Sequence, residues 1–79
     1  MTTKEQRIKK AEKELYYAII NPKADWFSAR LIHLIMKADL QNKAKLWLGF
    51  PEFVEVVEKY QNEPNYWENL VDKMAPKNE

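Results

Sequence analysis

Apolar residues return at intervals of three and four along most of the chain, which is the spacing that lines one side of an α-helix. Ile8, Ala11, Leu15, Ala18 and Ile19 form the first such stripe. It is preceded by Thr3-Lys4-Glu5-Gln6, a capping box with a hydroxyl first and a Gln three residues on. Asn21-Pro22 ends it, because proline disfavours helical geometry in the residue before it. The pattern predicts a helix over about 4–20. Lys9, Lys10, Lys13 and Tyr17 fall on its opposite face.

Asp25 is a candidate N-cap for a second helix, with Asn21 and Pro22 as the other candidate start. No strong breaker follows until Gly49, which reads as a C-terminal glycine cap. A helix over 26–48 would be about 33 Å long at ~1.5 Å per residue. A break near Asp39, with Asp39 capping the second piece, is the alternative. Placed at 100° per residue, the unbroken helix is apolar on two faces. Phe27, Leu31, Leu34, Ile35 and Ala38 make one; Ala29, Ile32, Met36, Leu40 and Trp47 make the other. Such a helix needs neighbours on both sides, from its own domain or from a second copy.

Phe50-Pro51 opens a third helix over about 51–61, with Glu52 and Glu55 near its positive end. Phe53, Val54, Val56, Val57 and Tyr60 line one side of it, and Glu52, Glu55, Glu58 and Lys59 the other. Pro64 restarts the chain for a short helix over about 64–75, whose apolar arc is Tyr66, Trp67, Leu70, Val71 and Met74. The tail from Pro76 is expected to fray. The fold class implied is all-α: one domain over 1–79, a compact bundle of three to four helices around a long central helix, self-associating.

Composition narrows this picture. One glycine and four prolines are too few turn residues for a β-protein of 79 residues. With no cysteine, neither a disulfide nor a thiolate metal site can staple the chain, so packing or association must hold it. Net charge is +1, but residues 1–49 carry ten Lys/Arg against five Asp/Glu (+5), and residues 50–79 three against seven (−4). Opposed halves can knit a protein to itself or join copies head to tail. The balance is wrong for a dedicated nucleic-acid binder. The charged stretch 1–14 does not read as a signal peptide. The longest apolar run, 31–36, is interrupted by His33 and far too short to span a bilayer. No membrane association and a cytoplasmic location are expected.

Little material for catalysis is present. A Ser–His–acid arrangement would have to use Ser28, His33 and a carboxylate such as Asp39. Five residues apart on one helix, Ser28 and His33 stand about 140° around the axis from each other. Glu52, Glu55 and Glu58 have the spacing of an ordinary helix face and no histidine beside them for a metal. There is no glycine-rich phosphate loop. A helix-turn-helix about Gly49 would carry three glutamates on its reading helix, against phosphate repulsion. The expectation is a protein that is not an enzyme and uses no cofactor or metal.

The surplus lies in the aromatics, ten in number and three of them tryptophan. A core accounts for Phe27, Phe53, Tyr60 and Trp67. It accounts less well for Tyr17, Trp26 and Phe50, which lie off the main stripes or at a turn. Tyr17, Trp26 and Trp47 are candidate anchors for a protein partner. Trp26, Arg30, His33 and Lys37 form a mixed stripe, an aromatic plate with cationic donors. It could hold an anionic nucleotide-like ligand between subunits, engage an acidic protein patch, or be a plain polar helix face.

The segments Trp26-Phe27-Ser28 to Lys37-Ala38-Asp39, Asn42-Lys43-Ala44-Lys45-Leu46 and Gly49-Phe50-Pro51-Glu52-Phe53-Val54 to Tyr60 resemble small uncharacterised accessory proteins of tailed phages and prophages. The resemblance covers roughly residues 25–60, and its strongest part is the Ala-Asp, Asn, Leu, Gly-Phe-Pro-Glu pattern. It implies a non-enzymatic role in the host cytoplasm: stoichiometric binding that inhibits a host protein or defence system. The alternatives are an oligomeric sponge for a nucleotide-like signal and a structural oligomerisation module.

Overall fold

Thr3 opens the first helix as its sequence requires: its side chain accepts from Gln6 N at 3.1 Å while Gln6 Oε1 accepts from Thr3 N at 3.0 Å. The computed structural model describes residues 3–74 and forms five helices, α1 (Lys4–Ile20), α2 (Phe27–Lys37), α3 (Leu40–Gly49), α4 (Pro51–Asn62) and α5 (Tyr66–Met74). No strand occurs among the described residues. The expected fraying beyond Pro76 and the expected helix end at 75 lie outside them.

The all-helical class stands, but the long central helix does not. The chain leaves helical geometry at Ala38 (φ −75°, ψ 141°), and Asp39 caps α3 by accepting from Asn42 N at 2.8 Å. The break strands the carbonyl of Met36, which Gln61 of α4 satisfies through Nε2 at 3.2 Å. Gln61 Oε1 in turn accepts from Lys43 Nζ at 2.7 Å, and Lys43 also reaches Glu58 at 3.4 Å. One amide side chain thus bolts the α2–α3 corner onto α4. The break is thus held both by the local Asp39 cap and by a partner more than twenty positions away.

Two other expected signals are corrected. Trp26, not Asp25, is the N-cap residue of α2, and no side chain bonds the α2 N-terminus there. Gly49 is the last helical residue of α3 rather than a left-handed cap, since no described glycine has positive φ. Phe50 (φ −137°, ψ 58°) serves as C-cap of α3 and N-cap of α4 at once, so a single residue turns the corner and Pro51 follows at the first helical position.

The element at the centre is α4, which packs against α1, α2, α3 and α5. Leu15, Ile32, Ile35, Val56, Val57 and Leu70 are fully enclosed, each worth about 1.5–3 kcal/mol of apolar transfer. The outward-facing glutamates of α4 are not a solvated face either. Glu52 pairs with Arg7 at 3.1 Å, Glu55 with Lys4 at 4.0 Å and Lys59 at 3.5 Å, and Glu58 with Lys43. Part of the opposed charge of the two halves is therefore spent within one chain. Such half-exposed pairs stabilise by about 0–1 kcal/mol each. Their larger effect is to fix α1 and α3 on either side of α4.

Candidate functional site

The helix with the least interior contact is α3. None of its ten residues is buried, and its principal neighbour is α4. Lys43 and Leu46 are half-buried on the side toward α4, whereas Leu40, Ala44, Trp47 and Leu48 are exposed and fall along an adjacent arc at i, i+4, i+7 and i+8. Leu40 is 80% and Leu48 86% exposed. An amphipathic helix ordinarily turns its apolar stripe to its own core; this one turns it mostly away. Trp47, Leu40 and Ala44 rim a cleft of about 220 Å³ closed by Lys43, Val54 and Glu58.

On its other side α3 meets α2 only at a few points. Phe27, at the start of α2, lies against Phe50 after α3, with ring centroids 6.1 Å apart. Between the helices is a groove of about 410 Å³ lined by Leu34, Lys37, Ala38, Asn42, Lys45 and Leu46. Phe27 and Leu34 are 68% and 55% exposed, although the sequence pattern placed them on a face to be covered. The pattern assigns Phe27 to the core and accounts less well for Phe50; the structure has Phe27 exposed and Phe50 half-buried. Phe50 sits at the tight corner, half-buried against the core and packed on Phe53 at 6.4 Å, which leaves Phe27 as the outer ring of the row.

The six residues singled out in the sequence fall on separate surfaces. Tyr17 is exposed on α1, its ring edge against Tyr16, which stacks on Trp67 of α5. Trp47 belongs to the α3–α4 cleft. Trp26, Arg30, His33 and Lys37 do share one side of α2, but two of them are tied to α1. Trp26 Nε1 donates to Glu14 Oε1 at 3.1 Å, and His33 Nε2 lies 2.9 Å from the Ala18 carbonyl. That carbonyl is an orphan by necessity, since its helical donor would be residue 22, a proline without N–H. A carbonyl can only accept, so Nε2 carries the proton. Arg30 and Lys37 are exposed and make no ion pair among the described residues, and Lys45 across the groove is in the same state.

One polar cluster had no signal in the sequence. Glu12 is the sole charged side chain buried among the described residues, at 7% exposure. It accepts from Tyr66 Oη at 2.7 Å and from Lys73 Nζ at 3.2 Å, pinning α5 to α1. Burial, then the hydrogen bond to Glu12, then the negative charge of Glu12, Glu63 and Glu55 hold the Tyr66 phenol far above its ordinary range. A phenol so placed is a locked donor, and the cluster reads as a fastening. Among the described residues no group of three or more His, Asp or Glu stands close enough to hold a metal. No described helix is long and apolar enough to cross a membrane.

The arrangement offers contact surface and a few free cations. No family model, curated protein or solved structure matches the chain.

Proposed function

We propose that the protein works by stoichiometric binding of another protein through α3 and the α2–α3 corner and carries out no chemistry of its own. The observation that supports this is α3 itself, a helix held outside the core whose apolar residues Leu40, Trp47 and Leu48 are open to solvent. Large contiguous apolar surface on a small protein is the usual mark of an interaction site. The resemblance to phage accessory proteins makes the partner a host protein, inhibited in the host cytoplasm. The outer stripe of α3 is also the surface a second copy would cover in a homo-oligomer.

Affinity capture from host lysate tests the reading, using the native chain and Leu48→Glu side by side. A protein recovered by the first and lost with the second, at unchanged circular dichroism, supports it. Equal recovery by both removes α3 from the binding site. Light scattering on the same two proteins tests self-association: a native oligomer that becomes a monomer with Leu48→Glu places the contact on α3.

A second reading rests on Arg30 and Lys37, two exposed cations on one side of α2 without carboxylate partners. They suit an oligomeric sponge for an anionic nucleotide-like molecule. A thermal-shift panel of cyclic and linear nucleotides should then raise the melting temperature, and Arg30→Ala should abolish the rise.

A further inference from the structure

The groove between α2 and α3 combines an apolar floor with a rim of one charge. Leu34, Ala38 and Leu46 form the floor. Lys37 lines one bank and Lys45 the other, and Arg30 falls two turns before Lys37 on the same side of α2; all three are exposed and without ion-pair partners among the described residues. No carboxylate lines it. The nearest in sequence, Asp39, sits at the corner with its oxygen committed to Asn42 N. Gly49, three residues after Leu46 and so on the same side of α3, has nothing within 4 Å of where a side chain would begin. It presents bare backbone at the open end, where another backbone can come close.

Resting on the protein-binding reading, we propose that this groove takes an acidic amphipathic helix of a partner protein. The partner lays apolar residues at i, i+3, i+4 and i+7 on Leu34, Ala38 and Leu46, and carboxylates on both flanks meet Arg30, Lys37 and Lys45. The groove is lined by one turn of each helix, residues 34–38 and 42–46, about 6 Å at ~1.5 Å per residue, and therefore seats about one to two turns of the partner helix. A second copy of the chain is a poor occupant. Its acidic half is α4 and α5, and all of the strongly exposed large apolar side chains precede α4. Within α4 and α5 one copy therefore offers acidic residues without a strongly exposed large apolar side chain on the same helix to lay on the groove floor.

The test uses the full chain and two labelled helical probes of about 14 residues, or four turns. Both carry Leu at i, i+3, i+4 and i+7; the remaining positions are mainly Glu in one and Lys in the other. Anisotropy titration is expected to give about tenfold tighter binding of the Glu probe at low salt, declining as salt is raised. Lys37→Glu with Lys45→Glu should reverse the preference. Lys9→Glu with Lys13→Glu, the same charge change on α1, should leave it within about twofold, which separates a groove from general attraction to a basic surface. Amide shifts from the Glu probe should centre on Leu34, Ala38 and Leu46. Equal binding of both probes, binding of neither, or shifts confined to Leu40, Ala44 and Leu48 would overturn the proposal. If the probes fail while Leu48→Glu still abolishes capture of a host protein, the groove assignment falls and the binding reading stands. If the Glu probe seats in the groove and capture is indifferent to Leu48, the groove stands and α3's outer stripe is not the binding surface.

Discussion

The imidazole of His33 supplies the Ala18 carbonyl with the hydrogen bond that Pro22 cannot give, at 2.9 Å across the α1–α2 interface. Ala18 is wholly buried in the native packing, so the imidazole and not water satisfies its carbonyl. His33→Ala is therefore expected to destabilise by about 1–3 kcal/mol, the cost of an unmet buried acceptor. Arg30→Ala and Lys37→Ala, one position class away on the same helix, should stay within about 0.5 kcal/mol. Urea unfolding of the three variants measures the difference. A neutral His33→Ala would mean that the histidine serves the surface and not the fold.

Tyr66 gives the fold an alkaline limit. Its phenol is held above the ordinary value of about 10 in the native state and returns to that value on unfolding. Above roughly pH 10 the unfolded chain releases this proton and the native one keeps it, so stability is present below that pH and falls as pH rises through it. Melting temperature followed from pH 8 to 11 should decline more steeply for the native chain than for Tyr66→Phe. Parallel curves would show that the phenol is not the group responsible.

Gly49 is expected to be replaceable as far as folding is concerned. It occupies a helical position with open space where a side chain would start, and its φ is not positive. Gly49→Ala should stabilise by about 0.4–1 kcal/mol, since alanine loses less backbone freedom on folding. A loss of stability in thermal or chemical melts would reveal a steric demand that the structure does not contain.

Interior and exterior apolar residues should separate sharply by substitution. Leu48→Glu is expected to alter stability by no more than about 0.5 kcal/mol, because its side chain is almost wholly in water. Ile32→Ala, at a fully enclosed site, should cost about 2–5 kcal/mol. The pair is read by chemical denaturation. A destabilised Leu48→Glu would mean that α3 is covered in solution, and light scattering of the native chain would then identify a second copy.

The sequence carried the helices whose ends have local chemistry. The Thr3 capping box set the start of α1, Pro22 its end, and Pro51 the start of α4. It was ambiguous at Ala38–Asp39, because neither proline nor glycine marks that break and the partner of the freed Met36 carbonyl, Gln61, lies on α4. Asp25 looked like a cap by residue type alone, yet α2 starts one residue later without one. The centre of the bundle was misplaced for a related reason. The two apolar faces of 26–48 suggested a wrapped helix, whereas the shorter α4 is the one enclosed and much of the α2–α3 apolar surface stays outside. Of the six candidate residues, Trp26 and His33 are engaged with α1, and the second was foreseeable, since Pro22 leaves Ala18 without a donor. The groove itself was illegible, because it exists only once the helix breaks at Ala38. The excess of apolar surface that pointed to partners was legible, and Leu34, Leu40 and Leu48 are where it resides.

Since no residue of α3 is fully buried, and only Lys43 and Leu46 on its inner side engage the bundle, the outward positions of the helix from Leu40 to Leu48 answer to different constraints than the rest of the chain. Its outward residues can be exchanged for others of different size or charge while α1, α4 and α5 keep the bundle closed. On the binding reading proposed above, fold and specificity are written in separate parts of one short chain. A line of descent could retarget such a protein to a new partner by rewriting three turns, leaving the scaffold untouched.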